Sequence, residues 1–417
     1  MKIINFGSCN IDYVYNVDHI VIPGETQAST GLELFPGGKG LNQSIAVARG
    51  GVEVYHAGCI GEDGAMLKNV LSGDGVNISF LKETDGKSGH AIIQLSAAGQ
   101  NSILLYQGAN GMLSESYIDE VIAQFDRGDF LILQNEVNNV EYIIERAYDK
   151  GLLTVFNPAP FTDELKTLDY AKIAYLILNE IEACGLGGKE TPEENLNRIK
   201  ELYPQMKIVL TLGDKGCIYS DSSVTFYQPA FETSVVDTTA AGDTFIGYFI
   251  AEISKGNSCA KAIKTATAAS AMAVSKKGAS TSIPLVRDVY AALPQMKPNN
   301  RDKNKTSIMI DKIKSYISDH IKDAKLCGLA DFLGYSEAYT GRLVQKVTGL
   351  SFSKLLQDKR CALADKLLTE TEMSVEEIIS AVGYENESFF RSVFKKKYGV
   401  SPYRYKKQMK REKIWKD

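Results

Sequence analysis

The chain has 417 residues, 44% of them apolar and 24% charged, with a net charge of −4 and seven cysteines. This composition excludes a disordered or fibrous chain, and the length exceeds one ordinary hydrophobic core, so two domains are expected. The cysteines (9, 59, 184, 217, 259, 327 and 361) are odd in number and lack CxxC spacing, which argues against a disulfide framework or a zinc site and fits a reducing cytoplasm.

In chain order, Ile3-Ile4-Asn5-Phe6-Gly7 reads as a strand that stops at the polar Ser8-Cys9-Asn10-Ile11-Asp12. Neither a signal peptide nor a long apolar span is read here or later, so no membrane segment is expected. Next, Phe35-Pro36-Gly37-Gly38-Lys39-Gly40-Leu41-Asn42-Gln43 opens an apolar helix containing Ile45, Val47 and Ala48. Its GGKG lacks the GxxxxGK[ST] spacing of a Walker loop. Residues 84–106 alternate with period two and predict antiparallel strands. Short apolar runs at 130–133, 152–156, 175–178 and 208–212 are each followed by a stretch of helical length. That alternation predicts a parallel sheet with helices on both faces and ligands at the carboxyl ends of its strands.

The most informative stretch is Asp237-Thr238-Thr239-Ala240-Ala241-Gly242-Asp243-Thr244-Phe245. Small residues and a glycine open an apolar helix, whose unpaired first-turn N–H groups and dipole attract phosphate oxygens. Asp243 stands beside such a phosphate, placed to take a proton from an attacking hydroxyl.

Beyond residue 293 the character changes. Residues 301–417 hold 24 Lys and Arg against 16 Asp and Glu, a surplus of eight positive charges, while the first 300 hold 23 against 35. A basic tail on an acidic body suggests a polyanionic partner. The segment 294–306 has no apolar periodicity and reads as a polar linker. Within 307–412, Leu329 to Ser336 and Ile378 to Glu385 each read as a helix stopped at a glycine turn (Gly334, Gly383) and followed by a second helix. These are two helix-turn-helix copies, joined by an amphipathic connecting helix over 352–368. Ser374 and Glu377 form a capping-box signature.

GSCNID, PGGKGLNQ, NPAP (157–160), NEIE (179–182), TLGDKG (211–216) and DTTAAGDTF, taken together and in this order, resemble the ribokinase (PfkB-type) carbohydrate kinase family over residues 1–293. The resemblance implies an α/β ribokinase-like fold, with a central mostly parallel sheet, helices on both faces and a small β lid over the sugar. It implies ATP-dependent phosphorylation of a sugar, ribose to ribose 5-phosphate first, with Mg²⁺ and K⁺ as further cofactors and a homodimer formed through this half. Asn10, Ile11, Asp12, Gly38, Lys39, Gly40, Leu41, Asn42 and Glu136 would then bind the sugar, with Asp243 as general base. Glu136, in QNEVN, departs from the usual context. Ala240, Ala241 and Gly242 would form the anion hole. Asn179, Thr211, Leu212, Gly213, Asp214, Lys215, Gly216, Gly242 and Asp243 would line the ATP site, with Asn179 and Glu182 in the magnesium network. Potassium would lie among Asp237, Thr239, Ala273, Lys276, Gly278 and Ser282. Thr267 replaces a histidine that many members carry near the adenine.

The tail, with its GYENESFFRSVFKKKYGVSPYRYKK ending, resembles the DNA-binding domain of AraC/XylS-type transcription regulators. This implies an all-α domain that binds double-stranded DNA through two recognition helices. Glu337, Ala338, Gly341 and Arg342 would face the major groove from the first, and Asn386, Glu387, Ser388 and Arg391 from the second. Lys395, Lys396, Lys397, Arg404, Lys406 and Lys407 are placed for phosphates, while Val344, Val347, Phe390 and Phe394 fit the core. The combined expectation is a sugar kinase fused to a transcription regulator. A regulator whose kinase-like half only senses ligand, or a kinase for another sugar or a nucleoside, are the alternatives.

Overall fold

The computed structural model describes residues 1–299, 301–371 and 373–414, which divide into two units, Met1–Asn299 and Asn300–Asp417. In the first unit, β1 (Ile3–Phe6) sends Ile3 into one core and Ile4 and Phe6 into another. A strand alternates its side chains between faces, so apolar residues at consecutive positions demand cover on both. After it come β2 (Asn10–Val17), β3 (Gly31–Gly37), α1 (Lys39–Arg49), β4 (Tyr55–Ile60), α2 (Ala65–Gly73), β5 (Asn77–Glu83), β6 (Gly89–Ser96) and β7 (Asn101–Tyr106). The chain continues through α3 (Glu115–Ala123), β8 (Phe130–Gln134), α4 (Val140–Lys150), β9 (Leu153–Asn157), β10 (Tyr175–Asn179), α5 (Glu180–Gly187), α6 (Pro192–Leu202) and β11 (Lys207–Thr211). It closes with β12 (Gly216–Ser220), β13 (Thr225–Pro229), α7 (Ala241–Ser254), α8 (Cys259–Ala273) and α9 (Val286–Ala292).

The main sheet runs β13-β12-β11-β10-β9-β8-β1-β4-β5. It is parallel except at the β11-β12-β13 edge. Residues of α1, α7 and α8 fill one core and residues of α3, α4 and α6 the other. Ile177 and Leu176, neighbours on β10, lie in opposite cores, and burying each stabilises the fold by about 1.5–3 kcal/mol.

Strand order reverses around β1, between β4 and β8, which opens a crevice at the carboxyl edge. A four-stranded sheet, β3-β2-β6-β7, stands apart from the main one. β6 and β7 pair antiparallel, but β6 runs parallel to β2. Between them the chain returns to the main sheet for β4, α2 and β5, and a crossover of that length delivers a parallel strand. The expectation of antiparallel pairing over 84–106 therefore applies to the β6–β7 hairpin only.

The stretch read as a linker is partly tied down. Phe231 and Pro298 form an isolated antiparallel bridge, Glu232 N–H donates to Lys297 O at 2.9 Å, and a helix begins at Arg301. Asn300 lies outside the described residues.

The second unit is all helical: α10 (Arg301–Asp319), α11 (Leu326–Leu333), α12 (Glu337–Thr348), α13 (Phe352–Glu370), α14 (Val375–Ala381), α15 (Glu387–Tyr398) and α16 (Pro402–Ile414). It has two cores. Phe352 and Leu356 of α13 join Ile313, Leu329 and Val344 in one, whereas Ala364 and Leu368 join Ile378, Phe390 and Phe394 in the other. α13 is thus the shared spine of two helix-turn-helix pairs, α11–α12 and α14–α15. Both second helices are capped alike, by Ser336 and Asn386 at the start and by left-handed Gly349 and Gly399 at the end. Gly383 has φ +84°, and a Cβ there would sit 2.3 Å from Lys322 O, so this turn admits only glycine. Among the described residues no helix is long and apolar enough to cross a membrane.

Candidate active site and nucleic-acid interface

The start of α7 is shaped by Ala240, its N-cap, which adopts a left-handed conformation (φ 58°, ψ 13°). A residue with a Cβ is uncommon there, and two bonds hold it: Thr244 N–H and Oγ1 each donate to Ala240 O at 2.8 Å. Ala241 N–H donates to Thr238 O at 3.2 Å, whereas the amides of Gly242 and Asp243 have no protein acceptor among the described residues. Of the residues expected at the anion hole, Ala241 has its amide engaged within the protein and Gly242 has its amide available, as does Asp243. A Cβ at Gly242 would meet nothing within 4 Å. No atom of the described residues requires glycine there, but a ligand pressed against the backbone would.

Asp243 is buried. Its Oδ2 accepts from Asn42 Nδ2 at 3.2 Å and its Oδ1 from Gln43 Nε2 at 3.0 Å. Lys39, at the first turn of α1, has its ammonium pKa raised chiefly by Asp243, with Glu136 and Glu182 adding to the effect and burial opposing it. Lys39 N–H donates to Glu136 Oε2 at 3.0 Å, and Ser8 Oγ donates to the same oxygen. Burial, above all, raises the Glu136 carboxyl. Asn10 Oδ1 accepts from Asn110 Nδ2 at 2.7 Å. On the small sheet, burial and then Glu136 push Asp12 up to about 7. A Cβ on Gly37 would lie 2.2 Å from Asp12 Oδ2, so glycine makes room for that carboxyl. Asn42 Oδ1 is buried without a partner among the described residues, an acceptor suited to a ligand hydroxyl.

Not every expected sugar residue belongs here. Ile11 and Leu41 are buried in the core, and Leu41 N–H is taken by Ser8 O at 2.9 Å. Gly40 is a packing residue, since a Cβ would sit 2.3 Å from Ser8 N. Gly38 supplies φ +96° ahead of α1.

Beyond Lys39 and Asp243 the crevice continues as a cavity of about 240 Å³, lined also by Asn157, Asn179, Glu182, Thr211 and Thr238. Asn179 caps α5: its Oδ1 accepts from Ile181 and Glu182 N–H, while Glu182 Oε2 accepts from Asn179 N–H at 2.9 Å. This is a capping box, so the NxxE pair is structural as well as cavity-lining. Glu182 is buried, and burial raises its carboxyl. A carboxylate held in this way suits Mg²⁺ through water and phosphate.

Of TLGDKG, Thr211 lines the cavity, but Leu212 is core and Gly213, Asp214 and Lys215 form a 3₁₀ turn outside its lining. Gly216 serves the sheet edge, where a Cβ would sit 2.1 Å from Gln228 O. Thr267 is buried and donates to Ile263 O. Asp237 accepts from Thr239 N–H and Oγ1 through Oδ1 and from Gly278 N–H at 3.0 Å through Oδ2. That carboxylate joins the approach to α7 to the segment after α8. Ala273 O accepts from Lys276 N–H, and Ser282 Oγ donates to Ala279 O.

Gln43, Asn157 and Ser8 were not among the expected site residues, although each lies inside a quoted motif. Asn110 and Gln134 carried no local signal.

In the second unit, Glu337, Ala338 and Arg342 on α12 and Glu387, Ser388 and Arg391 on α15 are exposed, with Gly341 half-buried. Val344, Phe390 and Phe394 are fully buried, and Val347 is half-buried against the core that holds Val344. Arg391 is engaged with Glu376 at 3.2 Å and Glu387 at 3.1 Å. Such exposed pairs are worth about 0.2–1 kcal/mol, less than the about 1–3 kcal/mol of a good base contact, so they do not lock the guanidinium away from DNA. Of the residues placed for phosphates, Lys397 donates to Asp358 and Lys406 to Met373 O. Lys395 and Lys396 are exposed.

A family model described as pfkB family carbohydrate kinase matches residues 1–285, and one described as helix-turn-helix domain matches residues 329–408. The chain is 36% identical over 290 residues to a ribokinase of Haemophilus influenzae, a match spanning 67% of this chain and 94% of that protein. Among solved structures it is similar to the ribokinase of Cryptococcus neoformans var. grubii in complex with ADP, at 35% identity and a TM-score of 0.63 over 70% of this chain and 99% of that one. It is also similar to Arabidopsis thaliana ribokinase complexed with ribose and ATP, at 26% identity and a TM-score of 0.61 over 70% of this chain and 98% of that one.

Proposed function

The chain belongs to the pfkB family of carbohydrate kinases and carries a helix-turn-helix domain of AraC type, and from this premise we propose that it phosphorylates ribose with ATP and regulates transcription through its tail. The observation that carries the kinase reading is the meeting of the first turns of α1 and α7. There a buried carboxylate, an ammonium and two available amides border one cavity.

A sugar in the crevice would be held by Asn10, Asp12, Asn42 and Glu136, whose amides and carboxyls match its hydroxyls. Asp243 takes the proton from the attacking hydroxyl as the new O–P bond forms, and the bond from the γ-phosphorus to the ADP oxygen breaks. Lys39 and the amides of Gly242 and Asp243 bear the charge that develops on the transferred group. Asn179 and Glu182 would hold Mg²⁺ through water, and that ion would neutralise phosphate charge. Potassium beside Asp237 would steady the loop leading into α7.

The small sheet exposes Leu32, Leu34, Ile92, Ile103, Leu104 and Leu105, an apolar surface whose burial against a second copy supports a homodimer. The free cysteines and an ATP-dependent reaction coupled to DNA fit the cytoplasm. An ATP-coupled assay over ribose, deoxyribose, fructose and nucleosides tests the substrate. Turnover of none of them, with sugar binding intact, would favour a sensor over a kinase.

A further inference from the structure

We propose that Gln43 is a positioning residue that aims the carboxylate of Asp243, and that Gln134 and Asn5 fix its orientation. Gln43 is fully buried. Its Nε2 donates to Asp243 Oδ1 at 3.0 Å and lies 3.4 Å from Asn157 Oδ1, while its Oε1 accepts from Gln134 Nε2 at 2.8 Å. Gln134 gives its other N–H to Asn5 Oδ1 at 3.0 Å. Asn5 in turn donates to Gly40 O at 2.8 Å and Ser44 Oγ at 2.9 Å, and Ser44 Oγ meets His56 Nδ1 at 2.8 Å. One buried chain of side chains therefore links β1, α1, β4 and β8 to α7.

The two ends of a glutamine amide have nearly the same shape, and their partners decide which way it points. Because Gln134 donates to Oε1, Gln43 must turn its N–H groups to the aspartate. Reversing the amide would set oxygen against carboxylate and N–H against N–H. Gln134 makes both donations while its own Oε1 remains buried without a partner among the described residues. Packing alone does not account for that arrangement, since an apolar side chain would fill the space without an orphan acceptor. Asp243 Oδ1 is thus held from the interior, and Oδ2, on the Asn42 side, is left to take the proton.

The proposal rests on Asp243 being the base, so Asp243→Asn is measured in parallel, using the full chain, ATP and the sugar turned over fastest. Gln43→Met keeps the length and removes the donor. Its kcat should fall on the order of tenfold to a hundredfold, with KM for ATP within about twofold of wild type. Gln43→Glu places a second buried carboxyl against Asp243, among Lys39 from α1, Glu136 from the turn after β8 and Glu182 from α5. Two such carboxyls cannot both ionise readily. The shared proton should move the acidic limb of the kcat profile to higher pH, whereas a merely structural defect would lower the rate at every pH alike. If neither Gln43 variant folds, Gln134→Met should show the same pattern, a smaller kcat loss with KM for ATP unchanged. A kcat within about twofold of wild type in Gln43→Met, or an unmoved acidic limb in Gln43→Glu, overturns the proposal. Where Asp243→Asn also keeps its turnover, the base assignment has failed; where it does not, only the positioning role has.

Discussion

Asn42 Nδ2 donates to Asp243 Oδ2 across 3.2 Å, joining the first turns of α1 and α7 although 201 residues separate them in sequence. α1 follows the Gly37-Gly38 turn and α7 follows the left-handed Ala240, and each opens toward the same crevice. In the proposed reaction, substrate hydroxyl, phosphate and base meet where the two N-termini converge, so small changes at either turn should separate stability from catalysis.

Gly242 offers the cleanest separation. A methyl group there meets no atom of the described residues, and alanine gives up less backbone freedom than glycine on joining a helix. Gly242→Ala should therefore melt no lower than wild type, while its turnover falls on the order of tenfold to a hundredfold because the methyl displaces the phosphate from the amides. Melting curves and ATP-coupled rates measured side by side check this. Unchanged turnover would remove the anion hole.

Asp12 should make sugar binding depend on pH. Its carboxyl is raised to about 7, so a large share is neutral at pH 6 and ionised at pH 8. Sugar hydroxyls donate best to the ionised form, so affinity should tighten as pH rises through this window. Asp12→Asn should bind more weakly and lose the dependence. Calorimetry at pH 6 and pH 8 measures both effects; an unchanged slope in the variant would place Asp12 outside the sugar site.

Potassium should raise activity over sodium at equal ionic strength, and Asp237→Ala should abolish that response. The carboxylate of Asp237 ties Thr239 to Gly278, so a cation there acts on the loop rather than on ATP. Indifference of the wild type across a full potassium titration would remove the site.

For the tail, Arg342→Ala should relax base preference at one operator position by about 1–3 kcal/mol if that side chain reads guanine. Lys396→Ala should weaken all sequences alike and lower the salt slope by about 0.9. Binding-site selection with the full chain at two salt concentrations distinguishes the two variants. Salt-independent binding, or none, would make the basic tail a partner-docking module.

Much of this was legible in the sequence because motifs concentrate residues under local constraint. The strands at 130–133 and 175–178 announced themselves by continuous apolar runs, and the start of α7 by its small residues. What local spacing conceals is the division of labour inside a motif. PGGKGLNQ mixes Lys39 and Asn42, which face the crevice, with Gly40 and Leu41, which pack. Asn110 and Gln134 reach the site only through tertiary contacts 100 and 91 residues long in sequence, which no window reveals. The β2–β6 pairing was likewise hidden, because strand direction depends on the intervening crossover rather than on the strands themselves.

The most direct test of the account is the turnover of Asp243→Asn in the full chain, measured with ATP and ribose alongside calorimetric sugar binding. An amide keeps the shape and cannot accept the proton, so kcat should fall by about 10²–10⁴-fold while sugar binding largely survives. Wild-type turnover in this variant would contradict the assignment of Asp243 as the base and, with it, the mechanism built around the junction of α1 and α7.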